Sequence, residues 1–131
     1  MNVLSFKNLE VKRITKGELP SLPFRDMKEK ILGKDYELSL TFLPGSQIQK
    51  FSEKYKKSSD HKNVLSFPLD KDSGEILICL NSIRLEAKNF DRKPINHLAF
   101  IVIHSMLHLR GMTHGSKMES EEKRYMNLFG F

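Results

Sequence analysis

Residues 94–114 read PINHLAFIVIHSMLHLRGMTH, and the fold of the C-terminal half turns on this stretch. The apolar run from Ile95 to Leu109 has a helical pattern. Pro94 is suited to open that helix, since the N–H that proline lacks would find no partner in a first turn. Gly111 is suited to end it, because glycine adopts the left-handed conformation that a Cβ disfavours. On such a helix the four-residue spacing of His104 and His108 puts both imidazoles on one face, one turn apart. Past Gly111 the chain can fold His114 back toward the pair. Three neutral nitrogens from one short segment, with no fourth protein ligand evident nearby, describe a zinc site that keeps a position open for water. That is the pattern of a catalytic metal rather than a structural one.

Neighbouring residues narrow the chemistry. The familiar two-histidine zinc helix of peptidases carries a glutamate directly after its first histidine as general base, and here that position is Ser105. His97 lies two turns before His104 on nearly the same face, where it either supports the site or simply packs. Glu119, Glu121 and Glu122 follow the third histidine; acids opening a last helix suit its dipole, and folding back toward the site is the alternative.

Working outward, a final amphipathic helix is expected from about Lys117 to Leu128, and Asn81 is placed to cap a helix over 82–90. Asn63–Phe67 and Glu75–Leu80 are apolar runs of strand length separated by LDKDSG, which predicts a hairpin with a loop of moderate size. YELSLTFL at 36–43 alternates as a half-buried strand does, Pro44 and Gly45 end it, and Ser46–Tyr55 reads as a helix with Ile48, Phe51 and Tyr55 along one stripe. KKSSDHK then makes an exposed basic connection. Met1–Phe6 and Leu9–Ile14 read as short extended pieces, and Pro20 and Pro23 lead into a helix ending near Gly33. The predicted class is α+β: one mixed sheet of about four strands covered by helices, with the metal-binding histidines on and just after a C-terminal helix.

The 131 residues are expected to form a single metallohydrolase-like domain over 1–131. With 22 Lys and Arg against 16 Asp and Glu, the formal charge of +6 favours polyanionic partners, nucleic acid foremost. The one cysteine, Cys79, excludes an internal disulfide and lies in the apolar run ILICL, as a small buried hydrophobe would. The N-terminus shows no long apolar core behind a basic start, so neither an export signal nor a membrane span is expected, and a cytoplasmic location is the default.

With both halves in view the chain resembles the YbeY family of bacterial metal-dependent endoribonucleases, also described as rRNA maturation factors. His104, His108, Leu109, Gly111 and His114 match the family signature. NVLSFPLD from Asn63 resembles a family strand, and GEILICL from Gly74 resembles its partner; the likeness runs from about Ile48 to Met126. The resemblance implies one Zn2+ per chain on the three histidines. It further implies single-stranded RNA as substrate, in 16S rRNA 3′-end maturation and ribosome quality control, with the small ribosomal subunit as partner and no DNA or membrane. A family arginine is replaced by Lys56, after Tyr55; lysine keeps the charge but loses the planar fork that grips a phosphate with two parallel bonds. Ser105 stands where the family usually has glycine, and Met112 and Thr113 replace residues common before the last ligand.

Lys56 and Ser105 are thus the candidates for a catalytic part, Lys56 by neutralising charge that develops on the phosphate. Tyr55, Lys57 and Lys62 are the candidate substrate-binding residues, the lysines for neighbouring phosphates and Tyr55, like Phe67, for stacking on bases. Two other readings stay open: a zinc hydrolase acting on a peptide or small ester, and a non-catalytic RNA- or ribosome-binding module with structural zinc.

Overall fold

The computed structural model describes residues 2–54 and 63–131. In chain order the elements are β1 (Asn2–Phe6), β2 (Leu9–Arg13), α1 (Phe24–Ile31), β3 (Glu37–Phe42), α2 (Gly45–Lys54), β4 (Val64–Asp70), β5 (Ser73–Ile78), α3 (Leu80–Asn89), α4 (Pro94–Leu109) and α5 (Ser116–Phe129). The strands form one mixed sheet in the order β1-β2-β3-β5-β4. The inner pairings β2–β3 and β3–β5 are parallel, and the edge strands β1 and β4 run antiparallel to their neighbours. Both N-terminal extended pieces join the sheet, so among the described residues it holds five strands where about four were expected.

Alternation along the strands divides the apolar residues between two faces. Leu9 and Val11 of β2, Leu38, Leu40 and Phe42 of β3, and Ile76 and Ile78 of β5 join the main core with residues of α1, α3, α4 and α5. On the other face Leu43, Leu65, Phe67, Leu77 and Cys79 make a smaller cluster with Ile48 of α2, and Phe51 packs against it. Helix α4 runs through the main core: Leu98, Ala99, Ile101, Val102, Ile103, Met106 and Leu107 are all buried. A helix so enclosed cannot roll or slide without opening cavities, so side chains leaving its remaining stripe are held firmly.

Two local expectations change. The β4–β5 strands extend through most of LDKDSG, leaving Lys71 and Asp72 as the turn, with an irregularity at Pro68/Asp70 and the Asp72 N–H donating to Asp70 Oδ1 at 2.7 Å. A short polar side chain bonded to the backbone two residues on replaces the longer loop. Helix α3 begins at Leu80, with Cys79 rather than Asn81 at the cap and no side-chain cap bond. The Cys79 N–H donates to Asn63 O at 2.9 Å and its carbonyl accepts from Ile83 N–H at 3.2 Å, so strand passes straight into helix before Asn81 is reached.

Candidate metal centre

The end of α4 is shaped by its backbone. Gly111 has φ +102°, its N–H donates to His108 O at 2.9 Å, and the Met112 N–H donates to Leu107 O at 3.0 Å. These paired bonds close the helix in a Schellman motif, which reverses the chain as Gly111 was expected to do. His114 returns against the helix, its ring centroid 5.2 Å from that of His104 and 4.9 Å from that of His108. His104 and His108 have centroids 4.5 Å apart at an interplanar angle of 89°, and their Nε2 atoms are 3.0 Å apart. One nitrogen from each of the three rings lies within 4.8 Å of the others, and among the described residues these three form the cluster that could hold a metal ion. Exposure grades from buried His104 through His108 to exposed His114, so the cluster opens to solvent on one side.

The far nitrogens are engaged from behind. His108 Nδ1 donates to the Met112 carbonyl at 3.1 Å, and His104 Nδ1 donates to Glu122 Oε2 at 3.0 Å. A carbonyl only accepts, and an ionised carboxylate only accepts, so both Nδ1 atoms carry a proton, and in neutral rings both Nε2 atoms then carry lone pairs. Two lone pairs directed at each other across 3.0 Å repel unless a metal ion lies between them or one ring takes up a proton. Tetrahedral zinc at 2.0–2.1 Å from each nitrogen would separate two ligand atoms by about 3.3 Å, so the His104–His108 pair fits such an ion with little adjustment, and His114, with a nitrogen within 4.8 Å of both, would close in further to complete the set. Glu122 is 6% exposed. Burial and the neighbouring Glu119 push its carboxyl above the usual range, opposed by the fields of His108, His114 and Arg92. A divalent ion shared by the rings would add to that opposition and hold the carboxylate ionised.

Of the other residues singled out from the sequence, His97 is not brought to the cluster. It is 1% exposed, its Nε2 donates to Glu86 Oε1 at 3.2 Å and its Nδ1 accepts from Arg92 Nη1 at 3.2 Å. Glu121 binds Arg124 at 2.8 Å instead of reaching the histidines, and Glu119 stays exposed in the first turn of α5. Ser105 is 1% exposed and one step round the helix from His104, so any part it takes is exercised through helix packing rather than on substrate. Phe67 is buried in the smaller apolar cluster, leaving little ring surface for a base. Tyr55, Lys56, Lys57 and Lys62 lie outside the described residues. Glu122 is the one glutamate of its trio drawn onto a histidine of the cluster. Its signal is the spacing of Met118, Glu122 and Tyr125, which puts all three on the buried stripe of α5.

The sequence signature described as Endoribonuclease YbeY matches residues 10–129, almost the whole chain. The chain belongs to that family. An endoribonuclease YbeY from Finegoldia magna is 36% identical over 108 residues, covering 73% of this chain and 71% of the relative. Another, from Wigglesworthia glossinidia brevipalpis, is 32% identical over 108 residues, covering 72% and 71%. A Thermotoga maritima protein known from a solution structure superposes with a TM-score of 0.61 at 23% identity, covering 88% of this chain and 86% of its own, which shows a shared fold. The match to this YbeY family extends well upstream of Ile48, where the likeness read from the motifs began.

Proposed function

We propose that this protein is a zinc-dependent endoribonuclease that hydrolyses single-stranded RNA, acting in the cytoplasm on the 3′ end of 16S rRNA and in quality control of the small ribosomal subunit. Family membership makes it an RNA-cleaving hydrolase. The observation that carries the metal reading is the pair of Nε2 atoms 3.0 Å apart, each fixed from behind through its Nδ1. No helix among the described residues is long and apolar enough to cross a membrane.

A zinc ion held by three neutral imidazoles supplies Lewis acidity and lowers the pKa of water to about 7, so hydrolysis does not need the glutamate that Ser105 replaces. His104, His108 and His114 bind the ion, and Glu122 and the Met112 carbonyl keep the first two rings in the tautomer that offers Nε2. Lys56 neutralises the charge that grows on the phosphate, Lys57 and Lys62 hold adjacent phosphates, and Tyr55 stacks on an unpaired base. Ser105 contributes from within α4 by its small size and burial.

The test pairs elemental analysis of protein purified without added metal with incubation on labelled single-stranded RNA, double-stranded RNA and casein. The expected result is one zinc per chain and cleavage of the single strand alone, with both zinc and cleavage lost in His108→Ala. Cleavage by metal-stripped His108→Ala at the parent rate would overturn the reading, and turnover of casein in place of RNA would replace it with a peptidase.

A further inference from the structure

Next to Glu122, between α4 and α5, is a cavity of about 520 Å3 lined by Arg92, Phe100, Glu119, Lys123, Met126 and Asn127. That volume suits a small ligand. It begins one ring away from the metal ligands, since the Phe100 and His104 rings stack with centroids 5.8 Å apart. Its floor is apolar, from Phe100 and Met126, and around it stand two cations, Arg92 and Lys123, the Asn127 amide, and the carboxylates of Glu119 and Glu122, the latter bonded to His104. Arg92 and Glu119 reach the three histidines only through the field they exert on Glu122, and Lys123, Met126 and Asn127 take no part there.

Arg92 is held in an unusual way. Its guanidinium lies over the Phe100 ring, 4.3 Å from the centroid, and Nη1 donates to His97 Nδ1 at 3.2 Å. His97 is fixed in turn by Glu86 at 3.2 Å and by stacking on Phe90, with centroids 5.1 Å apart and planes 19° from parallel. The carboxylate in this chain is thus spent on the histidine, and the guanidinium meets a ring nitrogen that is an acceptor without charge. A guanidinium has five N–H donors, of which His97 engages one. The arrangement orients the guanidinium at the cavity through a neutral ring nitrogen, and its charge also acts on Glu122 across the same cavity. Lys123, exposed on α5, adds a second positive charge from the opposite wall.

We propose that this cavity seats a nucleotide of the RNA strand adjacent to the one being cut, its phosphate on Arg92 and Lys123 and its base on Phe100 and Met126, with His97 and Glu86 as positioning residues for Arg92. The inference rests on the reading that RNA is cut at the three histidines. Asn127 and Glu119 at the rim offer a donor and an acceptor to the base edge or to the ribose 2′-OH, the group that distinguishes RNA from DNA.

The direct test titrates adenosine 5′-monophosphate into the zinc-loaded protein carrying 13C-methyl methionine and 15N, following Met126 and the Asn127 side-chain amide against Met112 beside the ligands. Saturable shifts at Met126 and Asn127, weakened in Arg92→Ala and in Lys123→Ala, are expected. Kinetics on a single-stranded RNA should show KM raised about tenfold in Arg92→Ala, with kcat changed far less, zinc content unchanged and partial recovery in Arg92→Lys. His97→Phe, which keeps the ring stack but removes the acceptor, should shift KM in the same direction. Shifts confined to Met112, or none at Met126 and Asn127, overturn the proposal even if the wild type cleaves RNA. The titration needs no turnover, so a wild type that fails to cleave RNA would overturn the proposed function while the nucleotide shifts still decide the cavity.

Discussion

Helix α4 carries two buried histidine–carboxylate pairs, seven residues apart, and they are wired in opposite senses. His97 gives its Nε2 proton to Glu86 and turns Nδ1 to a donor, Arg92. His104 gives its Nδ1 proton to Glu122 and turns Nε2 to another acceptor, the Nε2 of His108. In each pair the carboxylate fixes which nitrogen holds the proton. What stands at the remaining nitrogen decides the chemistry: a guanidinium closes the first pair, while the second leaves converging lone pairs that only a cation reconciles. A buried histidine bonded to a glutamate is therefore no metal site by itself.

The two pairs should part most widely when the rings themselves are replaced. His104→Gln should reduce bound zinc from one per chain to none after dialysis, by elemental analysis. His97→Gln should keep its zinc and instead lower stability by about 1–3 kcal/mol, because Glu86 and Arg92 lose a buried partner between them. Denaturant titration with zinc analysis of the same samples checks both, and loss of zinc in His97→Gln would show the two pairs to be one network.

The carboxylates sharpen the contrast at smaller scale. Glu122→Gln keeps the shape but weakens the acceptor that holds His104 Nδ1, and zinc affinity should fall about 10- to 100-fold in competition with a chelator. Glu86→Gln, acting on the closed pair, should leave that affinity at the wild-type value. Equal losses in the two variants would mean that Glu122 acts on the site through general packing rather than through its bond to the ring.

The difference between the pairs also shows what the sequence can tell. The histidine cluster is legible because its determinants are local: Pro94 opens the helix, a four-residue step aligns two rings, and Gly111 turns the third back. Strand alternation in 36–43 likewise survives intact as β3. Glu122 is half legible, since its stripe with Met118 and Tyr125 is written in α5 while its contact with His104 depends on how two helices cross. The Glu86–His97–Arg92 chain joins α3, the connection after it and α4, so no periodicity within one element announces it. The tight Lys71–Asp72 turn was obscured because LDKDSG is polar enough to read as loop, although most of it continues the two strands at the sheet's edge.

The smallest effect lies in the turn that separates the two pairs' fates, since His97 and His104 both sit within α4 whereas His114 reaches the cluster only through Gly111. A Cβ at Gly111 would meet nothing within 4 Å, so Gly111→Ala introduces backbone strain at φ +102° without a steric clash. A non-glycine residue in such a conformation costs about 1–2 kcal/mol. The expected result is a loss of about 1 kcal/mol in denaturant titration, together with zinc affinity lowered about fivefold as the strained turn relaxes and carries His114 away. The ring signals of His97, about four turns before Gly111, and of Phe90 stacked on it should not move. If stability falls and zinc affinity does not, the glycine only terminates the helix and the third imidazole reaches the cluster without relying on the turn. If the His97 signals move as well, the strain spreads along α4, and the two histidine pairs must be treated as mechanically coupled through the helix they share.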